Sequence, residues 1–220
     1  MSATLLFDLD GTLAETDWAH LAAFERVFGE RGKPMNEHLF KTQIMGRPNV
    51  MIGEEFFPEL PLAERVAIFE HKEAVYREIV GEVGPVAGAV ALLDWADAHG
   101  VKCGVVTNAP RENAMMILDS AGLTRRFGTI VCGQELAHGK PHPMAYLKGL
   151  SDLGGRAEVS LAFEDSPAGM ASAIAAGMPV VGMTTNLDAA TVLKAGAAMA
   201  APDYLDPALL AFVRKRTGRG

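Results

Sequence analysis

Two cysteines in 220 residues leave no material for a disulfide framework or a multi-thiolate metal centre. Cys103 and Cys132 both fall inside apolar stretches and read as buried core thiols, which suits a reducing compartment. No apolar run reaches the roughly 18 residues that span a bilayer. No charged and apolar leader precedes the first strand, so a cytoplasmic protein with no membrane partner is expected. Positive charge is scarce too: 20 Lys and Arg stand against 27 Asp and Glu, a net charge of −7. That balance argues against nucleic acid, whose binding needs a basic stripe. Internal repeats and low-complexity segments are absent. The composition, 49% hydrophobic and 21% charged, is that of a globular chain with a sizeable core. Its length fits one large domain or a domain carrying a smaller insert, as a monomer or homodimer.

What is present begins near residue 4. Leu5-Leu6-Phe7 lacks the alternation of a half-exposed strand and suits a strand covered on both faces of a parallel sheet. It runs into Asp8-Leu9-Asp10-Gly11-Thr12. Open α/β sheets bind ligands at the carboxyl ends of such strands. A carboxylate there is costly unless a cation or hydrogen bonds compensate its desolvation. Asp10-Gly11 alone reads equally well as a turn. If the backbone stays extended, Asp8 and Asp10 point the same way. Three further apolar runs lead to polar groups: Cys103–Val106 to Thr107-Asn108, Thr129–Cys132 to Gly139-Lys140-Pro141, and Ser160–Phe163 to Glu164-Asp165-Ser166.

Strands and helices alternate after about residue 85, the pattern of a parallel α/β sheet. Helices are expected over 88–99, with Val90, Leu93 and Ala96 at helical spacing, and over 111–121, 143–153, 168–176 and 207–214. Strands are expected over 104–106, 180–183 and 198–201. The basic tail from Arg214 to residue 220 reads as a frayed terminus. Residues 15–84 differ. They show helical periodicity broken by Gly29, Gly32, Pro34, Gly46, Pro58 and Pro61, with no strand. Such a stretch cannot join a parallel sheet. Inserted after the first strand, it must lie over the edge that carries Asp8, as a lid. The expected fold is therefore an α/β, Rossmann-like parallel sheet core (1–14 and 85–220) with an inserted all-helical cap (15–84).

Taken in order, Asp8-Leu9-Asp10-Gly11-Thr12, Thr107, Lys140 and Glu164-Asp165 resemble the four motifs of the haloacid dehalogenase superfamily, over the whole chain. The resemblance implies that Asp8 is a nucleophile forming an aspartyl-phosphate and that Asp10 is the general acid and base. Thr107 and the Asn108 backbone N–H would bind the transferring phosphoryl group, with Lys140 as a fixed positive charge. A carboxylate approaching a phosphate meets about 5 kcal/mol of repulsion per unit-charge pair at ~3.5 Å and an effective dielectric of about 20. A lysine and a hard divalent cation answer that repulsion. Mg2+ is implied, held by Asp8, Asp165 and the Asp10 carbonyl, with Glu164 as a further ligand. Asp at position 10 marks the phosphatases and phosphomutases of the superfamily and disfavours dehalogenation.

The helical segment resembles the cap of the β-phosphoglucomutase-like and phosphoglycolate phosphatase-like branch. His20 stands at the same offset, Lys72 and Tyr76 match a Lys-x-x-x-Tyr pattern, and Gly46 matches the cap glycine. His20, Arg47 and Lys72 are thereby expected to contact substrate. Mutase relatives carry Arg three residues after that glycine, where this chain has Asn49. The departure weakens a mutase reading, although Arg47 could supply the charge. Plainer readings stand beside these. His20 could be hinge packing, and Lys72, near Glu70 and Glu73, a solvated surface residue. His138 and His142 are too interrupted by Gly139 and Pro141 to form a zinc pair, and Met115, Met116, Ile117 and Leu118 read as core. The expected activity is Mg2+-dependent hydrolysis of a small phosphorylated metabolite, a sugar phosphate or phosphoglycolate. A phosphosugar mutase is the alternative. A noncatalytic phospholigand module is disfavoured because Asp8, Asp10, Lys140 and Asp165 are all intact.

Overall fold

The computed structural model describes residues 2–219. Its first element, β1 (Thr4–Phe7), is buried at every position. The cap helices follow: α1 (Asp17–Gly29), α2 (Glu37–Leu39) continuing into a π-helical turn at Phe40–Ile44, α3 (Asn49–Phe56) and α4 (Leu62–Val80). The chain then alternates through α5 (Ala89–Ala98), β2 (Lys102–Thr107), α6 (Arg111–Ser120), β3 (Thr129–Cys132), α7 (Met144–Leu153), β4 (Leu161–Glu164) and α8 (Pro167–Ala175). It ends with β5 (Val180–Met183), α9 (Ala189–Lys194), β6 (Met199–Ala201) and α10 (Pro207–Thr217).

The six strands form one sheet in the order β3-β2-β1-β4-β5-β6, parallel at every pairing. From β1 the chain builds outward on one side through β2 and β3, then returns to β1's other edge with β4. That reversal is the topological switch point, where an open α/β sheet leaves a crevice beyond its strand ends. Asp8 and Asp165 each follow a strand that borders it. The continuous apolar run of β1 has its physical reason here. Leu5 and Phe7 enter one core cluster and Leu6 the other, so both faces are covered. Phe7 stacks on Phe163 of β4 at 4.5 Å between ring centroids.

Residues 17–80 contribute helices alone to the described structure. Their interior is aromatic: Phe28 sits 5.2 Å from Phe24 and 5.0 Å from Phe57. The two crossings between cap and sheet lie side by side, with Ala14 bridged to Pro85 and the Val86 amide donating to the Leu13 carbonyl at 2.8 Å.

Three expectations are corrected. Val90 is 41% exposed, whereas Leu93 and Ala96 are buried as expected, joined by Leu92 and Trp95. Residues 214–217 complete α10 rather than fraying, because Thr217 is buried and its hydroxyl donates to the Val213 carbonyl at 2.8 Å. Met115 and Met116 are only half-buried, while Ile117 and Leu118 are core. Cys103 and Cys132 are buried free thiols, as expected.

Candidate active site

The Asp8 amide donates to the Phe163 carbonyl at 2.9 Å, extending the pairing of β1 with β4 by one residue. That carries the Asp8 carboxylate to the crevice. The turn that follows needs Gly11, whose φ is +68° and whose missing Cβ would collide with the carboxylates of Asp165 and Asp17. Lys140, in the loop before α7, is almost fully buried. Its Nζ lies 2.9 Å from Asp8 Oδ1 and 2.5 Å from Glu164 Oε1. Tyr146 donates its hydroxyl to the same Glu164 oxygen at 2.6 Å, and Ser166 donates to Oε2 at 3.3 Å. Glycine at 169 makes this seat possible, since a Cβ there would overlap the Glu164 carboxylate. Asp165 accepts from Thr12 at 3.4 Å and from Asn186 at 3.1 Å. Asn186 also donates to Asp17 at 2.6 Å.

Carboxylate oxygens of Asp8, Glu164 and Asp165 lie within 4.8 Å of one another, so the floor is a buried acidic cluster. Burial and the charge of Glu164 push the Asp8 pKa up to about 8, against the pull of Lys140. Burial, then Asp17 and Asp8, raise that of Asp165 well above the usual range. Burial alone would lower the Lys140 pKa, but Asp8 and Glu164 prevail and raise it. One buried lysine thus faces more negative charge than it can balance.

The cap closes the site from above. Asp10 Oδ1 accepts from Thr16, lies 3.5 Å from the Tyr76 hydroxyl and 3.3 Å from His20 Nε2. The His20 ring stacks on Tyr76 at 3.9 Å, and its Nδ1 is 2.9 Å from Lys72 Nζ. An ammonium can only donate, so Nδ1 is the acceptor and the imidazole proton sits on Nε2, facing Asp10. Burial works against ionisation of Asp10, yet His20, Thr16 and Lys72 outweigh it and hold the pKa at about 2. Lys72 is no solvated residue: it is 2% exposed, with Nζ 4.6 Å over the Phe24 ring. His20 packs on Tyr76 and also lines the cavity.

Asp8, Asp10, Thr107, Asn108, Lys140 and Asp165 line one cavity of about 90 Å³ together with His20, Arg47 and Lys72 of the cap. Glu164 lies outside its lining. Thr107 Oγ1 accepts from the Ala109 amide at 3.0 Å, fixing the strand-end turn. The Asn108 side chain clamps two loops, donating to the carbonyls of Gly46 at 2.9 Å and Lys140 at 3.2 Å. Arg47 borders the cavity with its guanidinium engaged, 2.7 Å from Glu55 and 2.6 Å from the Gln43 carbonyl. Thr16, Asp17, Glu73, Tyr146 and Asn186 were not singled out as site residues from the sequence. Only Thr16 and Asp17 had a local signal, lying at the start of a helix just after the first motif.

Comparison with known proteins agrees with this architecture. A family model described as haloacid dehalogenase-like hydrolase matches residues 5–183. Protein CbbY of Rhodobacter capsulatus is 35% identical over 189 residues, covering 80% of this chain and 83% of its own. The validoxylamine A 7'-phosphate phosphatase of Streptomyces hygroscopicus subsp. limoneus is 30% identical over 207 residues, 89% of this chain and 92% of that one. Among solved structures, a β-phosphoglucomutase from Clostridium difficile superposes with a TM-score of 0.86 over 99% of this chain and 98% of its own. At 20% identity that likeness concerns the fold.

Proposed function

The chain belongs to the haloacid dehalogenase-like hydrolase family, and on that footing we propose that it is a phosphatase hydrolysing small phosphomonoesters through an aspartyl-phosphate on Asp8. The observation that carries this reading is the pairing of Asp8 with buried Lys140 at 2.9 Å beneath an Asp10 held by the cap, around one cavity. Asp8 attacks phosphorus in line with the ester oxygen. Lys140 keeps the nucleophile and the transferring oxygens in place, and Thr107 with Asn108 receives the equatorial oxygens. Asp10 protonates the departing alkoxide and then, as a carboxylate, takes a proton from the water that cleaves the acyl-phosphate. At rest its low pKa keeps it in the carboxylate form. The charge of an arriving phosphate opposes that depression and favours the acid form.

The donor set fits Mg2+: every candidate ligand is a hard carboxylate or carbonyl oxygen, and the cluster carries more negative charge than Lys140 balances. Asp8, Asp165 and the Asp10 carbonyl would hold the ion, with Glu164 behind them. When bound, it would offset the repulsion between Asp8 and the phosphate.

The charge shortage has a signature in the metal-free protein. The Asp8 pKa rises on folding from 3.8 to about 8, so the stability it contributes is present in acid and lost as pH climbs through that window. With EDTA present, Tm is expected to fall between pH 5 and 9. Mg2+ should raise it most at the alkaline end, because binding requires the deprotonated carboxylates. A Tm in EDTA that rises or stays level over that range contradicts the assignment.

Asp10→Asn tests the acid role. Its kcat/KM is expected to drop by ~10²–10⁴ on alkyl phosphates and far less on p-nitrophenyl phosphate, whose leaving group needs no proton. Equal losses on both would remove Asp10 from that role. The mutase alternative draws on Arg47 at the cavity edge. It is disfavoured because Arg47 is paired with Glu55 and Asn49 donates to Glu73.

A further inference from the structure

Every lysine or arginine that lines the cavity already has a carboxylate partner. Lys140 has Asp8 and Glu164, Arg47 has Glu55 at 2.7 Å, and Lys72 has Glu73 at 3.1 Å. The third of these pairs lies on the cap side of the cavity, where Lys72 meets the His20 ring that faces Asp10. Glu73 is itself nearly buried and borders the same cavity. Its Oε1 accepts from Asn49 Nδ2 at 2.8 Å as well as from Lys72, and its Oε2 accepts from Asn113 Nδ2 of the core at 2.7 Å. Three donors, from α3, α4 and α6, hold the carboxylate beside Lys72. Burial alone would favour its neutral form, but Lys72, His20 and Asn49 outweigh that and keep the pKa below the usual range.

We propose that Glu73 is a specificity-determining residue that cancels the charge of Lys72, so that the cavity selects phosphomonoesters of uncharged, hydroxylated alcohols over those bearing a second anionic group. This rests on the phosphatase reading and narrows its substrate class. A second phosphate or a carboxylate on the alcohol must take Lys72 from Glu73, leaving a buried carboxylate unpaired and close to the incoming anion. The partly exposed Arg47–Glu55 pair adds a weaker competition. Asp17, also on the cavity wall, adds to the repulsion. A hydroxyl meets no such conflict. It can accept from Lys72 and donate to Glu73 at once, and Phe24, Ile44 and Ile52 offer apolar surface to the carbon skeleton.

The test is a comparison of kcat/KM on glucose 6-phosphate and glycerol 1-phosphate with that on phosphoglycolate and fructose 1,6-bisphosphate. The wild-type protein is expected to favour the uncharged alcohols by about tenfold or more. Glu73→Gln should lower that ratio by roughly tenfold and Lys72→Met should raise it, since one removes the repelling charge and the other the attracting one. Wild-type preference for phosphoglycolate or the bisphosphate overturns the proposal. So does a shift of the ratio in the same direction in both variants, which is what loosened packing would give. Turnover of p-nitrophenyl phosphate by the wild-type protein reports separately on the phosphatase reading. Should that turnover be absent, the same four esters titrated calorimetrically into Asp8→Asn protein decide the charge selection. Tighter binding of the uncharged pair upholds it, and equal or tighter binding of the anionic pair refutes it.

Discussion

Asp8→Asn is expected to bring hydrolysis of every phosphomonoester down by roughly four orders of magnitude or more, the scale of loss when a nucleophilic unit is broken. The amide keeps the shape of the carboxylate but cannot form the acyl-phosphate. The structure adds a second half to this expectation. Asp8 is crowded by Glu164 and Asp165, and its pKa of about 8 records that the ionised form is disfavoured there. Removing one negative charge leaves Lys140 still paired with Glu164 at 2.5 Å. The inactive variant should therefore be at least as stable as the parent in EDTA at pH 8. Phosphate release and thermal unfolding on the same preparation check both halves. An active variant sinks the covalent mechanism, and an inactive but strongly destabilised one shows that the cluster is balanced otherwise.

Lys140→Met is expected to do the reverse to stability. It removes the one buried cation among the described residues that contacts Asp8 and Glu164, and breaking such a pair from one side costs about 3–5 kcal/mol. For a chain of this length, each ~1 kcal/mol moves Tm by about 2–4 °C. The loss should shrink toward pH 5, where Asp8, with its pKa raised to about 8, is protonated and leaves less charge for Lys140 to balance. It should be partly recovered by adding Glu164→Gln, which removes the charge left unpaired. Turnover should fall by ~10²–10³, the range for losing a fixed electrostatic donor. A variant as stable as the parent at pH 8 would mean that Lys140 does not neutralise the cluster.

The sequence made the sheet and the floor of the site legible for a physical reason. Buried parallel strands are unbroken apolar runs, and a carboxylate or lysine at the end of one has few reasons to be there. Asp8 and Asp165 stand at such strand ends. Thr107 and Lys140, a neutral strand-end residue and a loop cation, take on meaning only through the resemblance of the four motifs in order. The structure brings all four to one crevice. The cap was harder. Lys72 sits among charged neighbours on α4, and the Phe24 ring and His20 imidazole that bury it come from α1, some 50 residues earlier. Nothing local to α4 announces that contact. Glu73 reads as an ordinary surface acid until Asn113 of the core is seen to donate to it. Tyr146 and Asn186 likewise act across the fold, Tyr146 through its bond to Glu164 and Asn186 through bonds to Asp165 and Asp17. The exposure of Val90 shows the same limit on a smaller scale, since helical spacing admits more than one apolar face.

The most direct test of the phosphatase assignment is phosphorus NMR of the purified protein with Mg2+ and a pool of phosphorylated metabolites that includes hexose 1- and 6-phosphates and a bisphosphate primer. The expected result is growth of the inorganic phosphate resonance at the expense of one or a few esters, absent with Asp8→Asn. A hexose phosphate that changes position without releasing phosphate would contradict it and make the protein a mutase.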